Sequence, residues 1–371
     1  MMIYKPQVYD AWLASGELPS EWLITLLHEM KNSGNAYEAF AAGNESVRNL
    51  IPKNRRDALA SAAGKQEMNT FCSLMEKHCI RSVTILDAEY PHNLRGIDDP
   101  PGILFYQGEL NCLKKERRAA MVGSRSASYA GLKAARKIAK ELSAAGVVIV
   151  SGLANGIDAE CHRGCLEGGS PTIAVMGCGL DQVYPSENAG LKKNILEKGG
   201  LVISEYAPGS KPFGRHFPYR NRIISGLSGL VILMEAKIRS GSMTTIAHAL
   251  KQGLEVYAYP GDPTSPMTEA NRTLLREGAR YFTAAEDILD DMNWLDKTQR
   301  VRQNIDCSTQ NAEGNTDEYA VLCALERGDL GFDELMQATG KSAQELMGIL
   351  TILQIKRKIE TLPGKRYGII R

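Results

Sequence analysis

Between residues 119 and 259, short apolar runs alternate with longer amphipathic stretches, a rhythm that few folds accept. The runs are AAMV (119–122), VVIV (147–150), TIAVM (172–176), LVIS (201–204), LVILM (230–234) and LEVYAY (254–259). Between most of them lies enough chain for a crossover helix; Leu132, Ala135, Ala139 and Leu142 fall on one face and Lys133, Lys137 and Lys140 on another. A strand that is apolar throughout is buried on both faces. The pattern therefore predicts a mostly parallel sheet with helices on either side, an α/β fold of the extended Rossmann-like, doubly wound kind.

The flanks read differently. Before residue 90 the apolar positions recur at helical spacing: Trp22, Leu23, Leu26, Leu27 and Met30, then Leu59, Ala62 and Ala63, then Phe71, Leu74 and Met75. This predicts an N-terminal helical bundle over 1–88, with no convincing strand and no chemistry assigned to it. Asp98, Asp99, Pro100, Pro101 and Gly102 cannot continue a helix and mark the crossing into the sheet domain, 89–297. Residues 298–316 are polar and aperiodic, a linker. Over 317–371, three helical segments precede a hairpin around Pro363 and Gly364, the pattern of a winged helix. Its third helix carries Lys356, Arg357 and Lys358 only at its end, which suits a solvated terminus as well as a DNA reader.

In a doubly wound sheet, ligands sit beyond the carboxyl ends of the strands. Three of the loops expected there are built of small residues: Gly123-Ser124-Arg125-Ser126, Ser151-Gly152-Leu153-Ala154, and Arg239-Ser240-Gly241-Ser242. Glycine lets backbone amides approach an anion and serine adds hydroxyl donors, so the three loops suggest a phosphate-binding edge; tight strand-to-helix turns would use the same residues.

The strongest compositional signal is Lys211-Pro212-Phe213-Gly214-Arg215-His216-Phe217-Pro218-Tyr219-Arg220-Asn221-Arg222. Four cations and three rings fall in this stretch, and there is no Asp or Glu from Tyr206 through Met234. Cations that track phosphates, interleaved with rings on which bases stack, are what a sequence-tolerant single-strand site requires. Pro212 and Pro218 favour an exposed, extended segment. Arg220 and Arg222, two positions apart at a helix start, cannot share a face.

Other chemistries find less support. Gly340-Lys341-Ser342 has Leu335 where a phosphate loop needs Gly, and Gly177-Cys178-Gly179 has Gln182 at the third glycine of a dinucleotide fingerprint. Cys161, His162 and Cys165 are close on a helix but lack a second ligand pair, so buried thiols and a capping or surface His are expected, with no metal and no cofactor. Asp158 and Asp181 each follow a glycine loop, where helix capping is the ordinary role. The net charge of +1 argues against a uniformly basic surface and leaves room for one basic groove. No apolar run approaches the roughly 18 residues of a membrane span. The start MMIYKPQVYDAW lacks a signal-peptide core, and eight Cys occur without a CxxC pair. A cytoplasmic protein with reduced thiols and no membrane partner is expected.

At these motifs the sequence resembles the bacterial DNA-processing protein A family, also called Smf. The resemblance runs in order through VGSR (122–125), SGLANGID (151–158), GCGLDQVYP (177–185), SEYAPGSKPFGRHFPYRNRIISGLS (204–228) and RSGSMTT (239–245), preceded by YPHNLRGIDDPPGILFYQG. It implies a single-stranded DNA-binding protein of natural transformation that protects incoming strands and helps load the recombinase RecA, in a homodimer with no established catalytic reaction. Carried onto matching positions, Arg125 would hold a phosphate beside the amides of Gly123 and Ser124, and Ser151 and Gly152 belong to the same surface. Lys211 and Arg215 would line the groove, Phe217 would stack on a base, Arg220, Asn221 and Arg222 would complete the pocket, and Ser240, Gly241 and Ser242 would close it. The chain departs from the family at Glu160-Cys161-His162, where an Ala-His pair is usual, and at Ala270, where Gly is usual; both changes bear on local loop geometry alone.

The main alternative is a nucleotide-processing N-glycosidase on a related sheet. Such enzymes place a PGGxGT loop followed by a catalytic Glu after the equivalent strand, and this chain has Met243-Thr244-Thr245-Ile246 there, although Glu235 lies nearby. A third reading makes the winged helix the working part and the sheet a scaffold.

Overall fold

The computed structural model describes residues 4–294, 316–325, 329–356, 358–362 and 366–369. Of the linker expected at 298–316, only Thr316, the first residue of a helix, lies within them; Arg357, Pro363 and Gly364 lie outside the described residues. The chain divides into two compact units, Met1–Trp294 and Leu295–Arg371.

The first unit is built on nine strands: β1 (Arg81–Thr84), β2 (Ile103–Gly108), β3 (Arg118–Val122), β4 (Val148–Ser151), β5 (Thr172–Val175), β6 (Leu201–Ser204), β7 (Leu230–Leu233), β8 (Glu255–Ala258) and β9 (Arg280–Tyr281). Their order is β1-β2-β6-β5-β4-β3-β7-β8-β9. The seven strands from β6 to β9 along this order are parallel, and β2 and β1 add antiparallel at one edge. The six apolar runs are β3 to β8, buried along nearly their whole length. The fold is thus the mostly parallel, doubly wound sheet expected. β1, β2 and β9 escaped the reading: RSVT is short and begins with a charge, ILFYQG follows a proline cluster, and β9 has two residues.

Successive side chains along a strand point to opposite faces, and the core divides accordingly. Leu104 and Tyr106 of β2, with Ile173 and Val175 of β5, join one hydrophobic cluster. Ile103, Phe105 and Ala174 join the other, together with the front helices through Trp12, Leu26, Leu27, Leu59 and Met68. The six front helices run from Pro6–Ser15 to Lys65–Lys77 and share this core with the sheet. Of the residues expected inward, Leu23, Leu26 and Leu27 are buried and Trp22 is exposed. Trp12 is fully buried, its Nε1 donating to the Leu59 carbonyl at 2.9 Å. Buried Asp10 accepts from Ser33 and from Ser82 of β1, both at 2.6 Å, and so ties the first helix to the sheet edge.

The crossovers place the candidate site. The chain winds from β3 out to β6 in one direction, then returns to lay β7 against the other side of β3. Between β3 and β7 the winding reverses, and a crevice must open at their carboxyl ends because their connections leave toward opposite faces.

The second unit holds helices Thr316–Leu325, Phe332–Thr339 and Ala343–Ile355, and strands β10 (Leu330–Gly331), β11 (Ile359–Leu362) and β12 (Arg366–Ile369). The strands form an antiparallel sheet in the order β10-β12-β11 around a core including Val321, Leu335, Leu346, Leu350 and Ile359. Three helices and a hairpin are present as expected, with β10 as an added short strand. Met347 and Ile352 are exposed on the third helix, ahead of Lys356 at its end.

Candidate nucleic-acid interface

The loops after β3 and β7 meet at the switch point around a cavity of about 490 Å³. Gly123, Ser124, Arg125, Phe217, Arg220, Asn221, Ser240, Gly241 and Ser242 all line it. Asp158, Phe217 and Ser242 each lie in the first turn of a helix, so three helix N-termini turn their positive ends toward it.

Arg125 is exposed, and its guanidinium carbon lies 5.5 Å from the centre of the Phe217 ring. Tyr184 lies on Phe217 with centroids 5.2 Å apart and rings tilted by 37°. Arg125, Phe217 and Tyr184 also line an adjoining recess of about 70 Å³ floored by Gly152, Ala154 and Asn155. The sequence of the motif GCGLDQVYP assigns Tyr184 no role; its 42% exposure and its contact with the Phe217 ring emerge only in the fold.

Behind this rim Arg220 is buried, 3% exposed. It donates through Nη1 to the carbonyls of Gly152, at 3.0 Å, and Val175, and through Nε to Asn221 Oδ1 at 3.1 Å. Asn221 Nδ2 reaches on to the Gly241 carbonyl at 3.2 Å and Thr244 Oγ1 at 2.6 Å. Asp158 is buried too, and its Oδ2 accepts from the Gly152 amide at 3.1 Å. Burial pushes the Asp158 carboxyl above its ordinary value and Arg220 opposes that shift; burial lowers Arg220 to about 10 while Asp158 raises it. The pair thus spans the ends of β4 and β5, and Asn221 carries the network on to the loop after β7. A Cβ on Gly152 would stand 2.5 Å from Arg220 Nη2 and 2.7 Å from Asp158 Oδ2, so only glycine fits. Gly156 has φ +80 and a Cβ there would meet the Ser124 carbonyl at 2.3 Å, which lets the β3 and β4 loops touch.

Several expectations are corrected. The Ser124 amide does not face the cavity: it donates to the Glu235 carbonyl at 2.7 Å. Ser151 is fully buried, with its hydroxyl donating to the Met121 carbonyl at 2.6 Å, and supports the strand ends from behind. The segment from His216 onward is helix, with Pro218 in the first turn where its missing N–H is harmless; ahead of it the Phe213 amide donates to the Lys211 carbonyl at 3.0 Å, a tight turn in place of the extended run expected. Lys211 is exposed and lies outside the cavity lining. Arg215 turns to Glu17 at 3.1 Å and lies over Phe213. Arg222 faces away, buried between Glu205 (2.6 Å), Asp99 (3.2 Å) and the Tyr219 ring. That Arg220 and Arg222 part company follows from their two-residue spacing.

The lesser candidates also resolve. Asp181 is not a helix cap; it accepts from the Gly209 amide at 2.7 Å. Cys161 and Cys165 are buried, but His162 is neither cap nor surface residue: it is fully buried beside Thr172 Oγ1 at 2.8 Å, and burial pushes it down to about 3. Among the described residues no group of three His, Cys, Asp or Glu could hold a metal. Ala270 is buried in the first turn of the helix Glu269–Arg276 and its amide donates to the Ala236 carbonyl, so this turn accepts a methyl where glycine is usual. Its neighbour Asn271 was overlooked; it accepts from the Ala236 amide and donates to the carbonyls of Leu233, Met234 and Tyr259, pinning the end of β7.

Fold and crevice together define an extended Rossmann-like protein whose switch-point cavity combines an exposed arginine, serine hydroxyls and a pair of contacting rings. The chain belongs to the DNA recombination-mediator protein A family, whose model matches residues 81–293; a DprA winged helix domain matches 308–365. It is 45% identical over 208 residues to the DNA processing protein DprA of Streptococcus pneumoniae, covering 56% of this chain and 73% of that protein. It is 37% identical over 244 residues to the Bacillus subtilis DprA, covering 64% and 82%. The solved structure of the S. pneumoniae protein aligns with a TM-score of 0.65 at 34% identity, over 78% of this chain and 98% of that one. DNA processing protein A from Helicobacter pylori, a structure described for its single-stranded DNA binding mode, aligns at 0.52 and 26% identity, over 57% and 95%.

Proposed function

We propose that the switch-point crevice binds single-stranded DNA, with Arg125 on a phosphate and Phe217 and Tyr184 offering faces to bases. The observation that carries this reading is the stack of Arg125, Phe217 and Tyr184 at the mouth of a cavity lined by serine hydroxyls. Cation and ring at one position serve phosphate and base together, without reading sequence. In this reading the protein acts in the cytoplasm as a homodimer, protects incoming strands in natural transformation and promotes RecA loading, with no reaction of its own. Lys211 and Arg239, both exposed next to the lining residues Pro212 and Ser240, extend the basic path. Membership of the family and the single-stranded DNA binding described for the H. pylori protein support it.

The N-glycosidase alternative depended on Glu235. Both of its carboxylate oxygens are engaged by Ser128, from the backbone amide at 2.7 Å and the hydroxyl at 2.6 Å, and it is absent from the cavity lining. It holds the start of the helix Tyr129–Ala144.

Fluorescence anisotropy with labelled oligo-dT and a duplex of equal length tests the proposal. Preference for the single strand, with affinity falling as salt rises, is expected; equal affinity for the duplex would reject it. Gly241→Leu gives a sharper check. Nothing lies within 4 Å of a Cβ at Gly241, and the residue lines the cavity, so the added side chain enters open space. Folding stability should change by no more than about 1 kcal/mol while oligo-dT affinity drops at least about tenfold.

A further inference from the structure

A second cavity, of about 460 Å³, lies between the front helices and the His216–Gly226 helix, on the side away from the crevice. Its apolar walls include Leu18, Leu23 and Pro101, with the Tyr219 ring at its edge. His216 is 3% exposed and stacks on Tyr206 at 3.9 Å. Its Nδ1 lies 3.2 Å from the Gly177 carbonyl, and a carbonyl only accepts, so Nδ1 carries the proton and Nε2 presents a lone pair. Nε2 is buried and has no hydrogen-bond partner. Opposite stands Glu17 Oε1 at 3.7 Å, a second acceptor. Glu17 Oε2 is taken by Arg215 at 3.1 Å, with Arg55 at 3.9 Å, so the carboxylate charge is already balanced. Glu17 also has φ +44, a backbone state that costs a non-glycine residue energy.

Two facing acceptors in a walled apolar cavity require a neutral donor on a flat body. We propose that this cleft binds a planar heteroaromatic bearing an exocyclic amino group, the chemistry of adenine or cytosine, with the amino N–H groups donated to His216 Nε2 and Glu17 Oε1. The volume suits a nucleoside. The ligand would sit on the reverse of the turn that presents Phe217 to the crevice, since His216 and Tyr219 line one cavity and Phe217 and Arg220 the other. The proposal does not rest on single-strand binding at the crevice.

Calorimetric titration of the full chain with cytidine and uridine tests it, since uridine carries a carbonyl in place of the amine. Cytidine is expected to bind at least about tenfold more tightly, because uridine would leave a buried acceptor facing an acceptor. Glu17→Gly relieves the left-handed backbone and should fold at least as stably, yet weaken cytidine at least about tenfold. Phe217→Ala should leave cytidine binding unchanged. Equal binding of both nucleosides, no binding of either at millimolar concentration, or loss through Phe217→Ala instead of Glu17→Gly would each overturn the assignment. Oligo-dT offers no amino group and reports on the crevice alone, so its retained affinity alongside absent cytidine binding rejects this cleft and spares the other site. Competition separates the sources: a free nucleoside site keeps cytidine with oligo-dT or oligo-dC bound, whereas a site for a base of the strand yields to oligo-dC only.

Discussion

Arg220→Met is expected to cost about 3–5 kcal/mol of folding stability, read as a lower urea midpoint, before any effect on DNA is considered. The reason is burial. The guanidinium serves the carbonyls of Gly152 and Val175 and the Asn221 side chain in a place water barely reaches, and it faces the equally buried Asp158. Methionine can fill the volume but leaves those acceptors unserved and a carboxylate uncompensated. The sign with pH follows. Burial already holds the folded Asp158 above its ordinary value of 3.8, and removing the opposing Arg220 raises it further. A carboxyl raised on folding favours the protonated state. Its contribution is therefore present below the ordinary value and is lost as pH rises toward the folded value. The variant should be closer to wild type in stability at pH 5 than at pH 8. The same shortfall at both would show that lost hydrogen bonds, and not the stranded charge, account for the damage. Single-strand affinity should fall as well, with Asn221 and the Gly241 loop freed.

Arg125→Ala and Phe217→Ala should divide the binding energy in a recognisable way. Arg125 is exposed and, among the described residues, carries no ion pair with an acidic side chain, so its removal should barely alter folding. It should weaken oligo-dT binding and reduce the magnitude of the logarithmic salt slope by about 0.7, the share of one phosphate contact on a single strand. Phe217→Ala removes a stacking face. A loss of about 1–3 kcal/mol is expected with the salt slope unchanged, since no counterion is involved. Tyr184→Ala should behave like Phe217→Ala with a smaller effect, because Tyr184 is the more exposed of the two rings. Wild-type anisotropy curves from all three variants would remove the crevice as the DNA site.

Much of this site is legible in local sequence because its scaffold obeys a local rule. Apolar runs had to become buried strands, and once the sheet is doubly wound, residues that follow β3 and β7 must lie at its carboxyl edge. Gly123, Arg125, Ser240 and Gly241 can therefore be expected at that edge without knowledge of a single contact, and they line the cavity there. A residue whose role depends on what stands opposite it is not legible in this way. Ser124 sits in the right loop, yet its amide belongs to Glu235, more than a hundred positions away. His162 read as a surface or capping residue because nothing near it in sequence announces Thr172 or complete burial. β1 and β2 were invisible for a similar reason: they are strands only because β6 offers β2 an edge.

The run from Lys211 to Arg222 marks the division most clearly. Its composition alone established a cation-rich, ring-rich, acid-free stretch, and the net charge of +1 confined any basic character to such a place. Composition could not assign each side chain a direction. A helix turns by about 100° per residue, so successive residues of its first turn point to different neighbours. Phe217 and Arg220 enter the crevice, His216 and Tyr219 the second cleft, and Arg222 a buried pair with Glu205. What lies in each direction is set by segments as distant as Glu17, Asp158 and Glu205. Residue types are a property of the chain, whereas burial and partners exist only after it has packed. Hence the sequence determined which chemistry this protein carries, and the tertiary structure decided which of its arginines meet solvent and which hold the fold.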